Sequence, residues 1–112
     1  MALRRYVTEM GMGVDVHGGD YTKAAKRAVA DAIRHSSLNF FEQLNKSRDD
    51  LHVIVKLGVQ DPSAIDAEAI KHEIPYGAVR IDAGLGGLNV SSEDGKDLMV
   101  IVNAAVLVCF DE

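Results

Sequence analysis

The chain has one cysteine, no surplus of basic residues, no long apolar run and no repeat or low-complexity tract. Each absence removes a class of protein. Cys109 alone cannot close an intrachain disulfide; set in an apolar run, it reads as a buried structural thiol and fits a reducing compartment. Twelve Lys and Arg face 17 Asp and Glu, a formal charge of −5, so no global field draws the protein to nucleic acid or to an anionic membrane. The longest apolar stretch, residues 98–110, is broken by Asn103 and falls short of the ~20 residues that span a bilayer. Residues 1–7 lack the apolar centre of a secretion signal. The expectation is a cytoplasmic protein with neither a nucleic-acid nor a membrane partner.

What is present suits one folded domain, residues 1–112, with 47% apolar and 26% charged residues. Residues 3–16 alternate as a strand, which Gly18-Gly19 stops, and Asp20 or Thr22 is placed to cap a helix. Within residues 21–44, Ala24, Ala25, Ala28, Val29, Ala32 and Ile33 recur at helical spacing, with alanines small enough for close approach to a sheet. Ser36 and Ser37 weaken that helix, leaving 38–45 as a continuation or a separate turn. Residues 51–59 alternate as a second strand. Asp61-Pro62 then opens a second helix, 62–72, with Ile65, Ala69 and Ile70 as its inner stripe.

Residues 78–82 and 88–91 read as extended, bent apart by Gly84-Leu85-Gly86-Gly87. Glu93-Asp94-Gly95-Lys96 signals a hairpin into a long last strand, 97–110. The order β-α-β-α-β-β predicts an α+β fold: a mixed four-stranded sheet with parallel first and second strands and two helices on one face. Two helices cannot cover both faces of such a sheet, and the last strand is apolar at both parities. A neighbouring copy is expected to cover the rest, as a homo-oligomer.

The candidate chemistry lies in Gly11-Met12-Gly13-Val14-Asp15-Val16-His17-Gly18-Gly19, just before the first helix. Strand alternation puts Gly11, Gly13, Asp15 and His17 on one side. The glycines clear that side either for a ligand or for the helix that follows. Asp15 and His17 read as an acid/base pair in which the aspartate fixes the imidazole tautomer, or as two metal ligands. The plainer alternative is that Asp15 holds the turn amides and His17 orders the Gly-Gly turn. A dinucleotide fingerprint and a P-loop are excluded, because Asp15 stands where a pyrophosphate would need a neutral backbone. The helix start still faces this region, and Lys23 and Arg27, one turn apart, either add charge to an anion site or form a solvated face.

Gly86 and Gly87 form either a bend or the opposite wall of a pocket, with Asp82 or Asn89 as polar contacts. Asn103 interrupts an apolar strand, so its amide either satisfies a bulge or faces the site. His35, His52 and His72 have no metal-ligand spacing.

The pattern Gly11-x-Gly13-x-Asp15-x-His17-Gly18 resembles the defining motif of a small uncharacterised family of bacteria and, with a long N-terminal extension, of plants. The resemblance takes in Thr22-Lys23-Ala24-Ala25, Arg27-Ala28, Pro75-Tyr76-Gly77, the second glycine cluster and Asn103-Ala104. It implies no established activity, substrate or cofactor, and makes Gly11, Gly13, Asp15, His17 and Gly18 the candidate functional residues. The element order is also similar to chorismate-mutase-like domains, whose ligand sites lie between subunits.

Three functions fit these residues. One is an oligomeric protein binding a small polar or anionic metabolite, with Asp15 and His17 at the centre of its chemistry. Another is a metal-dependent hydrolase or lyase, with further ligands from Glu9, Asp82 or another subunit. The third is a structural or regulatory assembly subunit with no chemistry of its own.

Overall fold

A computed structural model describes residues 2–34, 50–75 and 77–111. Strand β1 (Leu3–Asp15) leads into helix α1 (Tyr21–Arg34), then strand β2 (Leu51–Val59). A 3₁₀ turn (Pro62–Ala64) and helix α2 (Ala67–Lys71) precede strands β3 (Ala78–Leu85), β4 (Leu88–Ser91) and β5 (Leu98–Asp111). The expected segment 38–45 lies outside the described residues. Among the described residues no helix is long and apolar enough to cross a membrane.

The sheet has five strands rather than four, ordered β1-β5-β2-β3, with β4 beside β5. The second glycine cluster explains the extra strand. Gly87 takes a left-handed φ of +65°, and the peptide group folds back until Gly86 lies against Gly58 of β2. This splits the extended region into β3 and β4. β1 and β2 both run antiparallel to β5, so they share a direction as expected, but β5 lies between them. β3 pairs parallel with β2.

The expected helix 62–72 is two pieces. Ile65 is extended (φ −81°, ψ 129°), and Asp66 restarts the chain as a new N-cap, its side chain accepting from Ala69 N. The backbone N–H of Asp66 donates to Thr22 Oγ1 at 3.0 Å, tying the break to α1. An aspartate that finds both partners outcompetes helix continuation.

The core lies on one face of the sheet. Ala24, Ala25, Ala28, Val29 and Ala32 of α1 are fully buried against Val100, Val102 and Phe110 of β5 and Val55 and Val59 of β2. Ile70 of α2 completes this layer. The other face carries Met10, Met12 and Val16, with exposures of 71%, 52% and 53%.

α1 lies almost on the backbone of β1. A Cβ on Gly11 would strike the carbonyl oxygen of Ala28 and the amide of Ala32, and one on Gly13 would strike the carbonyl of Ala24 and the amide of Ala28. The alanine stripe and the two glycines are therefore one packing device: small residues on both elements let helix and strand meet backbone to backbone.

Candidate functional site

The residues expected at a single site divide between two places. Asp15 ends β1 on the covered face and is 3% exposed. Its Oδ2 accepts from the backbone N–H of Asp20 at 2.9 Å, while Lys23 Nζ and Arg27 approach its Oδ1 at 3.6 and 3.7 Å. Asp20 in turn caps α1, its Oδ1 accepting from Lys23 N at 3.0 Å. The chain thus supplies its own carboxylates at the positive end of the helix, where an anionic ligand was expected. Lys23 and Arg27 serve this internal anion.

Arg27 has a second task. Its guanidinium donates to the carbonyl of Val14, and Asp31 Oδ2 accepts from Met12 N at 3.0 Å. Both backbone groups lie on the outer edge of β1, so α1 closes that edge with its own side chains.

Gly11 and Gly13 do not offer a bare face to a ligand, because α1 fills it. Gly86 and Gly87 serve the crossing over Gly58, with Gln60 Nε2 donating to Gly86 O at 2.9 Å. Asn103, expected to be buried, is exposed and sits between Met12 and Gly58 on the open face.

His17 lies beyond the strand, and its side chain is 85% exposed. Its partner is Asp97, not Asp15. Nδ1 of His17 lies 2.8 Å from Asp97 Oδ2. The other oxygen, Oδ1, accepts from the backbone N–H groups of Gly18 at 2.9 Å and Leu98 at 2.8 Å. These hydrogen bonds, Gly18's first and then His17's, pull the Asp97 carboxyl down to about 2 from an ordinary 3.8. Ionised at neutral pH, Asp97 only accepts, so Nδ1 of a neutral His17 must carry the proton and Nε2 is left as a free acceptor.

Local sequence explains the geometry. Gly18 and Gly19 take left-handed φ values of +92° and +61°, turning the chain so that the Gly18 amide points at the hairpin. The loop before β5 is closed on itself. Ser92 Oγ donates to Asp94 Oδ1 at 2.7 Å and accepts from Asp97 N at 3.0 Å, while Asp94 Oδ1 also accepts from Lys96 N at 3.0 Å. Those contacts, Ser92's above all, hold the Asp94 carboxyl below its usual range.

Two adjoining depressions flank the pair. One, of about 370 Å³, is bounded by Gly18, Gly19, Ser91, Gly95, Lys96, Asp97 and Leu98. The other, of about 200 Å³, has His17 beside Val16, Val90 and Met99. Among the described residues no group of three or more His, Cys, Asp or Glu side chains is placed to hold a metal ion. Asp15 and His17 hold different partners on different elements, so they do not converge as the ligand pair that a metal site would need.

Asp97 escapes sequence reading because it stands 80 residues from His17. Only its place at the end of a hairpin turn marks it, and that signal is shared with Glu93 and Asp94.

Fold and site together define a small α+β domain that presents an exposed histidine oriented by a carboxylate. The chain belongs to the family described as "Conserved hypothetical protein (Lin0512_fam)", which matches residues 5–108. It is similar to an FtsZ-like protein of unknown function from Nostoc punctiforme PCC 73102, with 32% identity and a TM-score of 0.91 over 100% of this chain and 99% of that one. No curated protein matches it.

Proposed function

We propose that the protein binds a small polar molecule in the depressions around His17, with the free Nε2 accepting a hydrogen bond or proton from it. The carrying observation is the Asp97 carboxylate, which joins the imidazole to two backbone amides and so fixes both ring orientation and tautomer. Imidazole with one nitrogen on a carboxylate and the other free is the arrangement that suits a general base. Around it, Lys96 and Ser91 contribute donors beside the Asp97 carboxylate, which favours a hydroxylated, polar molecule. Because the Nostoc relative is itself of unknown function, the reading rests on this chain's own residues.

The test is a screen of small carboxylates, phosphates and sugars by protein NMR, on wild type, His17→Ala and Asp97→Asn. A hit should shift the His17 ring signals and be lost in both variants. A hit that binds His17→Ala as well as wild type, or a ligand that shifts α1 around Lys23 instead, would overturn the assignment.

A further inference from the structure

We infer that the open face of the sheet is the seat of a second copy of this chain, placed with its strands antiparallel to the first, and that this copy walls the His17 depression. The inference does not depend on the chemistry assigned to His17.

The face is apolar where it is exposed. Met10, Met12, Val16, Leu88 and Val90 are each between 39% and 71% exposed and share one side of β1, β4 and β5. No described helix lies over them, since α1 and α2 both pack into the core on the other side. On the same side, Leu107 and Cys109 towards the Arg5 end are only 5% and 4% exposed, so the exposed apolar surface is concentrated at the end formed by Met10, Met12, Val16, Leu88 and Val90. Growth at the edge of β1 is blocked by Arg27 and Asp31, so a partner must add to the face.

Charge selects the occupant and its orientation. At one end, Arg5 lies opposite Cys109 and Arg80 opposite Ile54, both exposed and on the open side. At the other end the β4–β5 loop carries Glu93, Asp94 and Asp97 against the one cation Lys96, so three negative charges and one positive leave it acidic. The two ends of one face are complementary in sign, and between them Lys56 and Asp82 neutralise each other at 3.3 Å. A two-fold axis across the strands at Asn103 lays one copy's basic end on its partner's acidic loop, and conversely, as an isologous interface requires. The exposed amide of Asn103 then falls near the axis, where donor and acceptor meet their own mates.

Val16, Val90 and Met99 belong both to this face and to the His17 depression. The second copy therefore covers the depression's open side and brings the partner's Arg5 beside the His17–Asp97 pair.

Light scattering on the eluting protein tests this. Wild type should have twice the 12.1 kDa chain mass. Met12→Lys, which alters an exposed side chain, should halve it with an unchanged circular-dichroism spectrum. Arg5→Glu should raise the dissociation constant at least tenfold, and adding Glu93→Lys should recover most of that loss. Wild type at the single-chain mass, a mass that is an odd multiple of the chain, or Met12→Lys and Arg5→Glu both remaining dimeric would overturn the seating. Asp97 orients His17 within one chain, so a monomeric wild type would leave the proposed function standing.

Discussion

Replacing Asp15 by alanine should damage the fold, whereas replacing His17 should not, although the two residues stand two apart in the sequence. Asp15 is 3% exposed and accepts from Asp20 N at 2.9 Å. A hydrogen bond to a buried charged acceptor contributes about 1.5–3 kcal/mol. The contacts to Lys23 and Arg27, at 3.6 and 3.7 Å and with those side chains about half exposed, add no more than about 1 kcal/mol after solvent screening. Asp15→Ala should therefore cost about 3 kcal/mol, and for a domain of 112 residues that is a fall in Tm of about 12 °C. Asp15→Asn keeps an acceptor but loses the charge, and should cost roughly half as much. His17→Ala removes an exposed ring and should stay within about 0.5 kcal/mol of wild type. Calorimetry or urea unfolding of the three variants checks this. Asp15→Ala melting within 2 °C of wild type, or His17→Ala melting as low as Asp15→Ala, would refute the separation of roles.

Two further outcomes follow from the packing and from the hairpin. Gly13→Ala drives a methyl into the backbone of α1 at Ala24 and Ala28 and should cost about 1–3 kcal/mol or more, whereas Gly84→Ala, which meets open space, should stay within about 0.5 kcal/mol; urea midpoints measure both. The Asp97 carboxyl is lowered from 3.8 to about 2 in the folded state, so its stabilising effect is fully present above about pH 4 and is lost as pH falls towards 2. The stability gap between wild type and Asp97→Asn, followed by urea unfolding, should close over that window, and a gap that stays constant from pH 5 to 2 would contradict the pairing.

The elements were legible where one pattern ran unopposed. Residues 51–59 alternate without a break and form β2 over that same span; the alanine stripe packs as its spacing requires. The helix from Pro62 misled because its apolar spacing continues through Ile65, while the competing N-cap at Asp66 depends on a hydroxyl of Thr22 more than 40 residues away. The same limit explains the site. His17 was legible as a candidate group just before the Gly18-Gly19 turn, and an aspartate does hold its imidazole. Proximity in sequence selected Asp15, but strand geometry sends Asp15 under the helix and leaves the hairpin to supply Asp97. Gly11 and Gly13 were legible as cleared space; what fills the space is decided by how near α1 comes, and spacing alone does not carry that.

Asp97 fixes His17 with Nδ1 protonated and Nε2 free. Long-range ¹H–¹⁵N NMR of the imidazole, recorded above its titration on wild type, Asp15→Asn and Asp97→Asn, reads the tautomer directly. Wild type and Asp15→Asn should show an Nδ1–H ring, and Asp97→Asn a shift towards the Nε2–H form. An Nε2–H ring in wild type, or a tautomer that changes with Asp15 and not with Asp97, would contradict this assignment.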